Sequence, residues 1–376
     1  MSEATLNRRK LCMIFNIPSL YRKRIYTNIE NTFDTLWNFG ENHTDVKEMD
    51  LSSFQHVKRW KTRDKGKGII VMWGLWTLAF KNNIGAYIVI GQPSNISVWL
   101  LTILVRLFHP SRKVYFWCHG FYGREKGLGR VFKKIFMKLP HEIFLYGNFA
   151  KDNMVKMDFD EKKLHVIHNS LDYDVQLELR KSVTKTNIYG DHFGNNNPTW
   201  IFVGRLTPVK QLYLIIEALS TLRNRGANYN MVFVGDGKER EKLEQLVRER
   251  GLESRVWFYG ACYDEKTNAE LIYNADLCVS PGNVGLTAMH MLMFGVPVIT
   301  HDDFSHQVPE FESVREGITG SFFKRNNMES LVNTITKWFE NKGNQRDEVR
   351  QDCMQEIDSS WNPYYQMEVL KKNVKL

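Results

Sequence analysis

The sequence predicts two doubly wound α/β domains in one chain. Three observations carry that expectation. Short β-type runs alternate with helical runs throughout, the pattern of parallel strands covered by helices. Many of these runs end in Gly, Asn or Pro where a helix should follow. At 376 residues, the chain is long for one domain and comfortable for two.

In the first half the expected strands are "LCMIFNI", "GIIVMWG", "YIVIG", "VYFWCHG", "EIFLYG" and "LHVIHN". In the second half they are "TWIFVG", "YNMVFVG", "VWFYG", "DLCVSP" and "PVIT". The apolar run Ile96 to Val105 falls short of the ~20 residues of a membrane span and reads as a buried helix. Residues 183–199 are polar and rich in Asn and Gly, which predicts a linker between a domain of residues 1–182 and one of residues 200–359. A last helix restarts after Pro363, within about 360–376, and its aromatic residues predict that it packs on something. In doubly wound sheets ligands sit outside the carboxyl ends of the strands, so two such domains facing each other would make a cleft.

Composition narrows the partners. Hydrophobic residues at 43% suffice for real cores, and 51 Lys and Arg against 42 Asp and Glu give a net charge of +9. That excess favours anionic partners such as nucleotide phosphates or acidic lipids, beside the plain alternative of a solvated basic surface. The five cysteines are scattered and form no C-x-x-C pair, which argues against a disulfide scaffold or a zinc site. "MSEATLNRRK" lacks the pattern of a cleaved leader, so the expected location is cytoplasmic. No nucleic-acid-binding module is present, and none is expected.

Three motifs carry chemistry. In "FVGRLTPVKQLYLIIEAL" a strand ends at Val203, Gly204 allows a tight exit, and Arg205 and Lys210 precede an amphipathic helix. Two cations there suit a diphosphate, although two surface cations at a turn would look the same. In "FVGDGKEREKLEQLV" the turn around Gly235 is half of a dinucleotide fingerprint, and alone it reads as a structural turn. In "SPGNVGLTAMHMLMFG" a glycine-rich loop opens a helix. The amides of Gly285, Leu286 and Thr287 would point at an anion. Thr287 and His290 share one face near that end, while Leu286, Met289 and Met293 form the packing face. His290 is then either a site residue or a satisfied core histidine.

In this order, these motifs resemble the C-terminal domain of retaining glycosyltransferases of family four, which have the GT-B fold. The likeness runs from Trp200 to about Phe339 and includes "VWFYG", "ADLCVSP", "GVPVIT" and "PEFESVREGITGSFF". The first half is similar mainly through "FWCHGFYG". The resemblance implies two Rossmann-like domains facing across a cleft, the first binding an acceptor and the second a nucleotide-diphosphate sugar, with the last helix crossing back to the first. It implies that Arg205 and Lys210 hold the diphosphate together with the amides of Gly285, Leu286 and Thr287, with Gly204 and Gly235 also on the donor side. It implies that His119 faces the transferred sugar and that Glu312 is the loop glutamate. It also implies a glycan or lipid-linked acceptor in polysaccharide or capsule synthesis, and no cofactor or bound metal. His301, Asp302 and Asp303 accordingly read as polar lining.

The sequence departs from the family where two glutamates separated by seven residues are usual: here Gly282 and His290 stand in those places. Imidazole can still bond a ribose hydroxyl. Losing the first carboxylate affects sugar contacts and donor choice. Two alternatives to a transferase stay open, a non-catalytic nucleotide-sugar-binding partner and a GT-B-type sugar-nucleotide epimerase. Tyr21, Arg22 and Arg24, after the first strand, are candidates for the acceptor side. "REKGLGRVFKKIFMKLP" has an apolar face at helical spacing among Arg130, Lys133, Lys134 and Lys138. It either lies on an anionic membrane at its inner face or packs on the first sheet.

Overall fold

The computed structural model describes residues 9–43, 46–64 and 68–376. Residues 1–8, on which much of the leader reading falls, lie outside the described residues. The chain divides into two compact units, one running to Asp172 and taking up Asn362–Leu376, the other Tyr173–Trp361.

The first unit contains β1 (Lys10–Phe15), α1 (Lys23–Thr32), β2 (Thr35–Gly40), β3 (Val57–Trp60), β4 (Thr62–Asp64), β5 (Ile70–Met72), β6 (Ile84–Ile90), α2 (Ile96–Phe108), β7 (Lys113–Cys118), α3 (Gly127–Met137), β8 (Glu142–Leu145), α4 (Asn148–Val155) and β9 (Leu164–Val166). Seven strands form a parallel sheet in the order β3-β2-β1-β6-β7-β8-β9. Its middle strands are buried on both faces, so they read as continuous apolar runs rather than alternating ones. Alternation survives in which core each residue joins. Cys12 and Ile14 of β1 meet Val98 and Leu101 of α2 in one core, while Leu11, Met13 and Phe15 meet Ile25 and Ile29 of α1 in the other.

Two expectations change here. "GIIVMWG" does not enter the main sheet: β5 pairs antiparallel with β4 in a two-stranded ribbon. β2 and β3, which the sequence reading passed over, take one edge of the sheet instead.

The second unit contains α5 (Tyr173–Ser182), α6 (Ile188–Phe193), β10 (Thr199–Val203), α7 (Tyr213–Asn224), β11 (Asn230–Val234), α8 (Arg240–Glu249), β12 (Val256–Gly260), α9 (Glu265–Asn274), β13 (Leu277–Ser280), α10 (Leu286–Met293), β14 (Val298–His301), β15 (Gly320–Phe323), α11 (Met328–Lys342) and α12 (Arg346–Ser360). Its parallel sheet runs β12-β11-β10-β13-β14-β15. Strand order reverses between β10 and β13, and at such a switch point the loops leaving the two strands part and open a crevice.

α5 was expected in the first domain and residues 183–199 as linker. Instead α5 clusters with the second unit, where Arg180 pairs with Asp358 of α12 at 2.8 Å and Gln176 reaches α10. The polar stretch holds α6, whose buried Tyr189 hydroxyl donates to the Leu271 carbonyl at 2.5 Å. Its asparagines bond one another and Asn230 rather than water alone.

The chain ends in α13 (Pro363–Asn373), which belongs to the first unit. The Asn362 side chain caps it by accepting from the amides of Tyr364 and Tyr365, and Pro363 occupies the first turn, where no amide is needed. Met367 and Leu370 enter the core with α1, and Gln366 bonds the Ser170 hydroxyl and the His168 carbonyl. Among the described residues no helix is long and apolar enough to cross a membrane.

Candidate functional site

The second unit places Gly204, Arg205, Lys210, Gly285, Leu286 and Thr287 around the switch point. Arg205 follows β10 and is exposed; Lys210 ends a short 3-10 turn, Pro208–Lys210. The loop after β13 turns against that segment: the Gly282 amide donates to the Lys210 carbonyl at 3.0 Å. The Lys210 ammonium donates to the Asn283 carbonyl at 2.6 Å and to its side-chain oxygen at 2.9 Å. An ammonium has three donors, so one direction is left for a ligand. Burial pushes Lys210 down to about 8; the charge of Glu310 opposes this and that of Arg205 adds to it. The lysine therefore stays largely protonated at neutral pH while poorly hydrated, a state that favours an incoming anion.

Three backbone contacts make the floor of this region. A side chain at Gly235 would meet the Gly204 carbonyl oxygen at 1.9 Å, and one at Gly237 the Leu206 oxygen at 2.4 Å. One at Gly282 would meet the Val209 oxygen at 2.1 Å and the Lys210 Cα at 2.7 Å. Gly282 is thus more than a glutamate lost, because the main chain of the lysine segment occupies the space of a Cβ. Gly235 likewise has a packing reason to be glycine, whatever else it touches.

Gly285, at φ +57°, opens α10, whose first amides have no partner within the helix. The loop ahead of it is fixed by buried Gln307, which accepts from the Val284 amide at 2.9 Å and donates to the Thr300 hydroxyl at 2.8 Å. The Thr287 hydroxyl donates to the Val203 carbonyl at 3.0 Å, so this side chain ties α10 to β10 and leaves only its amide for a ligand. His290 lies one turn on, with Gln176 Nε2 at 3.0 Å from its Nδ1. Burial pushes the imidazole down to about 4, so it is neutral at pH 7. An amide donating to Nδ1 leaves the proton on Nε2.

Two glutamates stand in the loop where Glu312 was expected to act. The 3-10 turn Pro309–Ser313 buries Glu310, and Glu310 is the carboxylate whose charge acts on Lys210. Glu312, the residue chosen by its spacing to "GITG", is only half-buried. Asp303 pairs with His306 and Arg325, at 2.8 Å and 2.9 Å, so the acidic pair after β14 is a local ion cluster. Among the described residues no three His, Cys, Asp or Glu side chains are grouped to hold a metal ion.

The first unit has its own crevice at the carboxyl ends of β1, β6 and β7, the corresponding switch point of that sheet. It is a cavity of about 460 Å³, lined among others by Tyr21, Arg22, Gln92, His119, Lys133 and Tyr146. His119, far from Tyr21 and Arg22 in sequence, therefore shares one cavity with them. Arg24 does not join them; it reaches the Tyr364 hydroxyl of α13 at 3.0 Å. The His119 ring is exposed to the cavity and lies 4.7 Å from that of Tyr146. Its recessed position first, then the charges of Arg22 and Lys133, hold its pKa below the ordinary value.

Residues 188–356 match the family model for glycosyl transferases group 1. Over most of its length the second unit is therefore similar to the glycosyl transferases of group 1. Two curated relatives align with parts of the chain. Alpha-D-kanosaminyltransferase of Streptomyces kanamyceticus is 31% identical over 111 residues, covering 29% of this chain and 28% of that protein. A glycosyltransferase of Methanocaldococcus jannaschii is 28% identical over 145 residues, covering 37% and 36%. The matches thus span about a third of these relatives. Solved structures extend the likeness to the whole fold, which is GT-B. The lipopolysaccharide outer core galactosyltransferase WaaB, in apo form, superposes with a TM-score of 0.71 at 14% identity, covering 97% of this chain and all of that one. HepE of Anabaena, solved with UDP, gives 0.71 at 14% identity over 97% and 99%. The switch point between β10 and β13 lies within the matched residues, and so do the lysine segment and α10.

Sequence reasoning missed Asn283, Gln307 and Glu310 in this domain.

Proposed function

We propose that the chain is a glycosyltransferase that moves a sugar from a nucleotide-diphosphate sugar to a hydroxyl of a glycan or lipid-linked acceptor, in polysaccharide synthesis. The observation that carries this reading is Lys210, poorly hydrated and held by Asn283 beside the start of α10 at the switch point. Arg205, Lys210 and the amides of Gly285, Leu286 and Thr287 meet the charge that builds on the departing diphosphate. Preorganised charge stabilisation of this kind is often the largest single catalytic term. The reading invokes no bound metal. Nε2–H of His290 donates to a ribose hydroxyl where relatives would accept with a glutamate, and His119 contacts the transferred sugar. Retention at the anomeric carbon rests on the family likeness.

A panel of UDP-, GDP- and dTDP-sugars in thermal melts tests the reading. A donor at a hundred times its dissociation constant stabilises by about 2.7 kcal/mol, a rise of several degrees. His290→Glu should change the donor-induced rise more than the melting point itself. If no nucleotide sugar shifts the wild-type melt, the donor site is lost. Product analysis with and without acceptor separates a transferase from an epimerase, and activity of the purified chain alone excludes a non-catalytic partner.

The same reading includes contact with an anionic membrane. α3 does not pack its whole apolar stripe on the sheet. Phe136 and Met137 are buried, but Leu128 is 88% exposed, and Val131, Phe132 and Ile135 are more than half exposed. The expected buried helix α2 also shows one face to solvent, with Leu107 69% and Phe108 59% exposed. Trp99 joins the two helices by lying 4.5 Å from Phe132, and Phe80 extends the patch from Phe108. Patches of this extent mark interaction sites. Between Gly68 and His141 the only acidic residue is Glu125, among ten Lys and Arg, so the charge favours anionic lipid over a protein of mixed charge. The protein should sediment with phosphatidylcholine vesicles containing phosphatidylglycerol more than with phosphatidylcholine alone. The pair Leu128→Asp and Phe132→Asp should abolish that. Equal sedimentation of wild type and variant would remove the membrane from the reading.

A further inference from the structure

We infer that the cavity of the first unit is an oxyanion site, and that the acceptor enters it carrying a phosphate ester or a carboxylate. Arg22 is the centre of the site. Its guanidinium donates to the hydroxyl of Tyr146 and, at 3.3 Å, to that of Tyr21. It lies over four aromatic rings, Phe15, Tyr21, Trp117 and Tyr146, at 5.5 to 5.7 Å. Burial pushes the Tyr146 and Tyr26 phenols up, that of Tyr26 to about 12. Among the described residues no carboxylate pairs with Arg22, and none of the residues lining the cavity is Asp or Glu.

Lys133 adds a second cation to the lining, and its partner Glu125, 2.6 Å away, stands outside that lining. The Asn16 side-chain oxygen in the same lining is buried without a partner in the protein and would accept from a hydroxyl of the ligand. A recessed cation with neutral hydroxyls and no counter-ion is costly unless a ligand completes it. The planar fork of a guanidinium suits phosphate and carboxylate, which it can bind with two parallel bonds. Sugar hydroxyls would meet Asn16, Gln92 and His119 in the same lining, which leaves the guanidinium for a charged group. Tyr21 and Tyr122 line the same cavity and offer flat faces to a sugar ring.

Calling the ligand an acceptor rests on the transferase reading, whereas the oxyanion site does not. The test uses the full chain carrying Lys210→Ala, which weakens the competing anion site of the second unit, and thermal melts at constant ionic strength; the Arg22 substitutions then assign the remaining response. Inorganic phosphate and acetate are the probes, and the one that acts identifies the phosphate-ester or the carboxylate form. At least one should raise the melting point. Arg22→Gln in the same background should weaken that response about tenfold or more, the loss expected for hydrogen bonds to a charged group. Arg22→Lys keeps the charge without the fork and should retain part of the response; it also serves if the glutamine variant does not fold. Absence of any response in the Lys210→Ala background would overturn the proposal, and so would a response unchanged by both Arg22 substitutions. Nucleotide-sugar binding by the wild type is measured separately, so failure here leaves the donor reading standing.

Discussion

Lys210→Ala is expected to lower sugar transfer by about two to three orders of magnitude, the scale of losing one preorganised group from a charge-stabilising site. The argument is electrostatic. Lys210 is held by two bonds to Asn283 and is already stripped of much of its water, so it needs little rearrangement when charge develops on the diphosphate. An interaction that strengthens only as the leaving group departs appears in kcat and kcat/KM alike, with KM little changed. Initial rates with the donor found in the melting panel would show this split. Turnover near wild type would take Lys210 out of the mechanism, and a rise in KM alone would make it a binding residue.

Gly282→Glu, which introduces the carboxylate that the family resemblance implies at this place, is expected to damage the fold. The Cβ would have to sit 2.1 Å from the Val209 carbonyl oxygen, and main chain cannot yield as a flexible side chain can. Overpacking a rigid site costs about 3 kcal/mol or more, a fall of roughly ten degrees in melting temperature for a domain of this size. Thermal unfolding of the purified variant measures it, and an unchanged melting point would mean that the lysine segment moves freely. Position 290 differs. His290 is partly exposed beside Gln176, so a glutamate there meets a side-chain amide rather than backbone.

The second unit was more legible than the first. Runs such as "TWIFVG" and "YNMVFVG" carry unbroken apolar stretches that end in glycine, because central parallel strands are buried on both faces and their exits are tight. β2 was missed because Asn38 interrupts its run, although that asparagine is buried and its side-chain oxygen accepts from the indole of Trp60 at 3.0 Å. β3 was missed because "VKRW" at a sheet edge carries two cations. "GIIVMWG" has strand composition, but composition does not say which sheet a strand joins. The exposed face of α2 was hidden by its apolarity all round, which reads as burial until packing is known. Among site residues, Arg205, Lys210 and the start of α10 followed from position at strand ends. Glu310 did not, because counting from "GITG" assumes a loop of fixed length. Lys133 did not, because only the fold brings it to His119.

The floor around the switch point consists of main chain against main chain: Gly235 on Gly204, Gly237 on Leu206, Gly282 on Val209. Such a floor is deaf to side-chain variation, since substitutions there can break it and cannot retune it. On the transferase reading proposed above, discrimination between one donor sugar and another would then be written in the few side chains that stand clear of it. Asn283, His290 and Glu310 are the letters available for that text, and a chain evolving toward a new sugar would change them while leaving the glycines alone.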